Sequence, residues 1–206
     1  MELIGPYLVA CGLLVIAGVA KALRPDDTAR ALLQLTTPKA PPVGGPGGRG
    51  PGGAHRWTAL RLPGMRSAVR VGAAAEALLG VVALVVPRSG TAAAVAASYL
   101  AFAVVVGLTM ARGGPLATCG CFGRPDTPPT FVHLAVDLVL AVAATAVAVA
   151  APPSGTVVGV LAHQPWHGVP LVMVALLGTW LATLVLVRLS ALEAARRQIA
   201  VGAGGA

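Results

Sequence analysis

The sequence has few charged residues, few aromatic residues and only three cysteines. Charged side chains make up 11% of the 206 residues, whereas a soluble domain carries roughly 25%. Aromatic residues contribute 4% and hydrophobic residues 56%, so the apolar mass consists of small and aliphatic side chains. The shortage of charge argues against a soluble enzyme, and three cysteines are too few for a disulfide-rich scaffold.

The net charge is +8, which in a soluble protein would favour nucleic-acid binding. Here the basic residues lie between apolar segments, and the sequence contains no signature of a nucleic-acid-binding module. We therefore expect the lipid bilayer, and not a nucleic acid, as the partner of this charge.

Five apolar segments are long enough to cross a bilayer, whose ~30 Å core needs about 20 residues of helix. They span residues 3–23, 69–86, 91–111, 131–151 and 169–189. Backbone groups find no water in the bilayer, so each span should be helical. The residues before the first span include Glu2 and no basic residue, whereas a secretory signal normally begins with basic residues. We therefore expect a retained helix and not a signal peptide. The predicted fold class is an all-α integral membrane protein.

We predict that the chain divides into a four-span core over residues 1–151 and an extra span with a basic tail over residues 152–206. Between the first two spans, residues 26–35 have the pattern of a short amphipathic helix with acidic residues near its start. Residues 36–54 are rich in Pro and Gly and predict a flexible loop.

Lys and Arg are distributed very unevenly between the two sides that these five spans define. Fourteen of the 15 basic residues fall in the first loop, the third loop and the tail or at the span ends that adjoin them, and only Arg88 falls on the other side. Basic loops stay in the cytoplasm. We therefore expect a protein of the plasma membrane, with its N-terminus outside and with the third loop and the C-terminus in the cytoplasm.

The third loop carries Cys119 and Cys121, separated by Gly120. Two thiols at this spacing can approach disulfide distance if the backbone bends, which glycine permits. Such a tight ring would be strained and readily exchanged, as in a redox-active dithiol. Two other interpretations remain open from spacing alone: small residues that pack a tight loop, or half of a metal site that lacks its second cysteine pair.

Glu76 is an ionisable residue inside the second span, a position that indicates either a function or a buried ion pair. It lies between Gly72 and Gly80, so its helix face should press closely on a neighbour. Lys21, at the end of the first span, is the expected partner because its long side chain can reach along the helix. The pair is either structural or a carrier of protons.

His133 and Asp137 lie four residues apart at the start of the fourth span, and therefore on one helix face. They follow the cysteine loop directly, so His133 could lower a thiol pKa while Asp137 orients its ring. The alternative is a polar cap that hydrogen-bonds the loop. Because Lys21, Glu76, His133, Asp137 and the cysteines all fall in the cytoplasmic half of the predicted topology, we expect them to lie near one another.

Three other residue groups have simpler interpretations. Cys11, in the middle of the first span, should behave as a small hydrophobic residue. Trp166 should anchor the membrane interface. His163 and His167 are four apart, but Pro165 between them opposes a helix, so we expect no metal site there, and we expect no cofactor elsewhere.

Three stretches resemble the MauE proteins of the wider DoxX-like group of membrane proteins: residues 17–23 closed by Pro25, residues 75–80, and Cys-Gly-Cys-Phe-Gly at 119–123. The resemblance covers residues 3–151, and the last stretch is the most specific. It implies a four-helix core and a role near thiol redox, since MauE-like proteins are linked to maturation of the disulfide-rich small subunit of methylamine dehydrogenase and their relatives often act with thioredoxin-like partners. The long Pro/Gly-rich insertion and the fifth span depart from the family pattern.

The sequence thus favours a membrane thiol–disulfide component that uses Cys119 and Cys121. A membrane assembly or scaffold protein without catalytic activity is the first alternative. A small-molecule carrier that uses Glu76 is the second, although the sequence shows neither inverted repeats nor paired broken helices.

Overall fold

The computed structural model describes residues 4–26, 28–29, 52–111, 131–150, 157–162 and 164–203. Cys119, Cys121 and His163 lie outside these residues, as does most of the predicted amphipathic helix and Pro/Gly-rich loop. The described helices are α1 (Ile4–Leu23), α2 (Gly52–Val85), α3 (Ser89–Ala111), α4 (Phe131–Val149), α5 (Val157–Ala162) and α6 (Val169–Ala203), with a 3₁₀ turn at Pro165–Gly168.

Within the described residues, five helical segments are long and apolar enough to cross a membrane. They are Ile4–Leu23, Gly64–Val85, Ser89–Ala111, Phe131–Val149 and Trp166–Leu186. The predicted all-α membrane fold is therefore confirmed, with boundaries that differ by a few residues from the predicted spans. The largest difference is at α2, which begins at Gly52 and so includes the last three residues of the predicted loop.

Helix α1 occupies the centre of the bundle. It packs most extensively against α2 and also contacts α4, α6 and α3, while α3 and α4 form a second closely packed pair. In the most apolar part of each span, 50% of the α1 residues are buried inside the protein, whereas only 17% of the α6 residues are. Helix α6 is therefore a peripheral helix, whose apolar side chains mostly face outward.

Helices α1 and α2 approach each other closely because both carry glycine at the crossing. A Cβ atom at Gly18 would lie 2.7 Å from the Ala73 carbonyl oxygen, and one at Gly80 would lie 2.9 Å from the Cys11 carbonyl oxygen. Gly72, which the sequence placed on the same face as Gly80, is exposed and has no atom within 4 Å of an added Cβ. The contact face of α2 is therefore rotated by about one residue from the predicted face, to Ala73 and Gly80.

Hydroxyl groups inside the bundle bond to backbone carbonyl groups. The Tyr99 hydroxyl donates to the Ala10 carbonyl oxygen across 2.6 Å and so joins α3 to α1. Thr145 and Thr179 donate to the carbonyl oxygens four residues earlier, each at 2.8 Å. These bonds let polar residues lie in apolar helices without a lost hydrogen bond.

Two connections on the same side of the bundle have distinct geometry. After α2, the Thr91 hydroxyl accepts a hydrogen bond from the Arg88 amide at 3.0 Å and donates to the Val86 carbonyl oxygen at 2.9 Å, which stabilises a tight turn. Before α6, Trp166 and His167 have left-handed φ angles of 56° and 53°. This kink agrees with the expectation that Pro165 opposes a helix through the turn.

Candidate functional site

Four ionisable side chains from three helices lie toward one end of the bundle, and we call them the polar cluster: Lys21, Glu76, His133 and Asp137. Lys21 lies in the last turn of α1, and His133 and Asp137 lie in the first two turns of α4. The chain direction alternates between these helices, so the end of α1 and the start of α4 lie on the same side of the membrane. Glu76 reaches the cluster from the middle of α2.

Lys21 and Glu76 form an ion pair between α1 and α2. The Lys21 ammonium nitrogen lies 2.7 Å from a carboxylate oxygen of Glu76, and the two side chains are 8% and 24% exposed. A short, charge-assisted hydrogen bond of this kind is among the stronger polar contacts in proteins. It lies just beyond the Gly18 contact, where the close helix approach brings the two side chains together.

An aromatic ring completes the surroundings of the Lys21 ammonium group. Its nitrogen lies 4.1 Å from the centre of the Phe102 ring, within the range of a cation–π interaction. Phe102 in turn packs edge-to-face against Tyr99, with ring centres 5.9 Å apart. The lysine charge is therefore held on one side by a carboxylate and on another by a ring face.

A small cavity of about 30 Å³ lies between the helices at this point. Three members of the polar cluster line it, Lys21, His133 and Asp137, together with aromatic and aliphatic side chains that include Tyr99, Phe102 and Leu186. A volume of this size holds about two water molecules, and the polar lining offers them partners. The cavity therefore suits water or a proton better than a larger ligand.

His133 is buried, at 6% exposure, and Asp137 is half-buried one turn further along α4. Lys21 contacts Glu76 directly, and its positive charge also attracts the Asp137 carboxylate electrostatically. The Lys21 ammonium group thus has Glu76 as its direct contact, whereas Asp137 lines the same cavity and interacts with it electrostatically. Among the described residues, no group of three His, Cys, Asp or Glu side chains is arranged to hold a metal ion.

The remaining predicted residues fall outside this cluster. Cys119 and Cys121 lie beyond the described residues, in the segment that connects α3 to α4. Cys11 is fully buried in the core of the bundle, at 0% exposure. Trp166 is 82% exposed at the start of the last span.

Sequence reasoning missed the two aromatic members of the site, Tyr99 and Phe102. A signal was present: the chain has only two tyrosines and three phenylalanines, and these two lie three residues apart on α3, hence on one helix face. When a span has aromatic residues on one face and the other spans carry ionisable residues, the aromatic rings are candidates for contact with a charge.

Residues 54–151 match the family described as methylamine utilisation protein MauE. This part of the chain belongs to the MauE family. The match covers α3, α4 and the membrane-crossing part of α2, and it includes Glu76, both loop cysteines, His133 and Asp137. The resemblance at residues 17–23, which contain Lys21, lies outside the matched residues. No curated protein and no solved structure matches the chain.

The MauE segment therefore supplies three of the four members of the polar cluster, and α1 supplies Lys21. With five candidate spans in the described residues, the chain is a multi-pass membrane protein whose residues 54–151 match the MauE family. Because Lys21 pairs with Glu76 of the MauE segment, α1 is integrated with that segment through both packing and charge.

Proposed function

We propose that this protein is a membrane thiol–disulfide component of the MauE type, which exchanges disulfides with a thioredoxin-like partner through Cys119 and Cys121. The observation that carries the proposal is the position of the polar cluster. Helix α4, which follows the cysteine segment in the chain, carries His133 and Asp137 in its first two turns, and both line a cavity with Lys21, the partner of Glu76. Ionisable groups at the base of a dithiol loop can tune thiolate formation.

The exchange would proceed in two balanced steps. The thiolate of one loop cysteine attacks a disulfide of the partner, forms a mixed disulfide and releases one partner thiolate. The second loop thiolate attacks the first sulfur, closes the Cys119–Cys121 disulfide and releases the second partner thiolate. The partner disulfide is reduced, the loop dithiol is oxidised by two electrons, and its two protons pass to acceptors. The reverse sequence oxidises the partner.

The family description supports methylamine utilisation as the context. In this proposal the protein assists the maturation of a disulfide-containing component of that pathway and does not itself act on the amine. The uneven distribution of basic residues supports a plasma-membrane location with the cysteine loop in the cytoplasm. The thioredoxin-like partner would then be cytoplasmic and would supply or withdraw electrons from that side.

A membrane assembly protein is the second candidate, and the ion pair between Lys21 and Glu76 favours it. A buried ion pair at a close helix contact can have a purely structural role, which is to fix how the two helices pack. In that case the cysteine segment would dock a partner without exchanging electrons. The third candidate, a carrier for small molecules, has less support because the cavity in the polar cluster holds only about two water molecules.

Trapping of a mixed disulfide tests the proposal. In a Cys11→Ala background, which leaves only the loop thiols, Cys121→Ser or Cys119→Ser removes the resolving thiol. One of the two variants should accumulate a covalent complex with a thioredoxin-like protein, visible on non-reducing gels and lost with reductant. The double Cys119→Ser/Cys121→Ser variant is the control. Full support of client maturation by this double variant, with no complex from either single variant, would favour the assembly role.

A further inference from the structure

The polar cluster contains one more acidic group than its ion pair uses. Lys21 and Glu76 are in direct contact at 2.7 Å and together are neutral. Asp137 is a second carboxyl group, and it lines the cavity beside them. An isolated carboxylate in a membrane interior is costly, so this carboxyl group needs either a proton or a further cation.

The groups around Asp137 can be named helix by helix. Helix α1 provides the Lys21 ammonium group, which Glu76 of α2 already contacts, and α3 provides the Tyr99 hydroxyl, which donates to Ala10. Helix α4 provides His133, and α6 provides the apolar Leu186. Among the described residues that line the cavity, Lys21 carries the one fixed positive charge; it contacts Glu76 directly and lines the same cavity as Asp137.

We propose that Asp137 is an exchangeable proton-binding site inside the bundle, and that the adjoining cavity provides the route by which its proton enters and leaves. The cavity accommodates about two water molecules, enough to connect the half-buried Asp137 carboxyl group to a neighbouring donor. Glu76, in direct contact with Lys21, fixes the position of the ammonium group. The two acidic residues of the cluster thus have different tasks.

This inference deepens the proposed function, on which its physiological role rests. Reduction of a disulfide to two thiols takes up two electrons and two protons, and Asp137 would accept or supply one of these protons. The proton site itself needs no cysteine, so it can be tested separately. A Cys119→Ser/Cys121→Ser protein should retain it even if disulfide exchange fails.

Infrared difference spectroscopy tests the proposal on the full chain in phosphatidylcholine liposomes. Stepping the pH should change a protonated carboxyl band that shifts in D₂O. Labelling aspartate with ¹³C at its carboxyl carbon should shift this band, and Asp137→Asn should remove it. Asp26→Asn, three residues beyond the end of α1 in an exposed ion pair with Arg66, is the matched control and should leave the band unchanged. Lys21→Met should add a second protonated carboxyl band, which shifts only with labelled glutamate because Glu76 then lacks its cation.

Three results would overturn the proposal. A band that shifts only with labelled glutamate in the unmutated protein would place the proton on Glu76. A band that remains in the Asp137→Asn variant would place the proton on another residue. The lack of any protonated carboxyl band across the pH series would mean that Asp137 stays ionised. If Asp137→Asn fails to fold, the aspartate label on the unmutated chain, together with a band that persists in variants of the other three aspartates (Asp26, Asp27 and Asp126), still assigns the proton to Asp137.

Discussion

At the scale of single residues, the ion pair between Lys21 and Glu76 is the feature that most needs an energetic explanation. Each charge alone would be expensive in an apolar bundle. The pair reduces that cost through a short hydrogen bond, and the Phe102 ring provides further attraction for the ammonium group. The energy of the pair is therefore mainly the penalty that either partner would suffer if the other were removed.

Lys21→Met should destabilise the bundle by roughly 3 kcal/mol, because Glu76 then loses its cation. The double variant Lys21→Met/Glu76→Leu should recover most of that loss, since no charge is left unpaired. The measurement is the free energy of unfolding in detergent. The exposed pair Asp26–Arg66 is the matched control, and Asp26→Asn should cost less than about 1 kcal/mol. Equal losses in the single and double variants would refute this explanation.

The sequence predicted part of this residue-scale picture. The sequence predicts the pairing of Glu76 with Lys21, because an ionisable group in a span needs a partner within reach. The cation–π contact could not be predicted, because it depends on how α3 is rotated against α1. The loop cysteines, which carry the chemical hypothesis, remain a sequence-based prediction.

At the scale of secondary-structure elements, the close approach of α1 and α2 organises the bundle. Gly18 and Gly80 face the partner backbone, with no room for a side chain. Small residues allow helices to approach closely in membranes, where packing replaces the hydrophobic effect as the driving force. The same approach places Lys21 within hydrogen-bond distance of Glu76, so the geometry of the site depends on these glycines.

Gly18→Ala should destabilise the protein by about 2 kcal/mol, because the new methyl group overlaps the α2 backbone. Gly80→Ala should have a similar effect through Val15 and the Cys11 carbonyl group. Gly72→Ala is the matched control on the same helix and should be neutral or stabilising by up to ~1 kcal/mol, since alanine favours helix. The unfolding free energy in detergent reports all three. A loss at Gly72 as large as that at Gly18 would contradict the assigned contact face.

Helix positions were predictable from the sequence because apolar length determines a membrane span. Helix rotation was not, as the misassigned Gly72 shows. Gly72 and Gly80 are eight residues apart and lie about 80° apart around an α-helix, so either can face a neighbour while the other does not. A uniformly apolar helix provides little amphipathic signal to decide between them.

At the scale of the whole molecule, orientation in the membrane decides which compartment supplies electrons. The turn at Arg88 connects α2 to α3 on the side opposite to the polar cluster. With Cys11, Cys119 and Cys121 replaced, Arg88→Cys should react with a membrane-impermeant maleimide in intact cells. Arg24→Cys, just after the end of α1 on the side of the polar cluster, should react only after permeabilisation. The opposite labelling pattern would place the cysteine loop outside the cytoplasm.

The number of spans was also predictable at this scale, because it follows from apolar length. The peripheral position of α6 was not predictable from the sequence, since its composition resembles that of the buried spans. Only the packing shows that α1, and not a later helix, lies at the centre. That central position explains why α1 contributes Lys21 to a site otherwise built from the MauE segment.

The most direct test of the account is a redox titration of the loop cysteines in the reconstituted Cys11→Ala protein. After equilibration in glutathione buffers of graded potential, free thiols are alkylated and the intact mass is measured. The account predicts that Cys119 and Cys121 convert together, in one reversible two-electron transition, between a dithiol and an internal disulfide. Independent glutathione adducts on the two cysteines, with no internal disulfide at any potential, would contradict it.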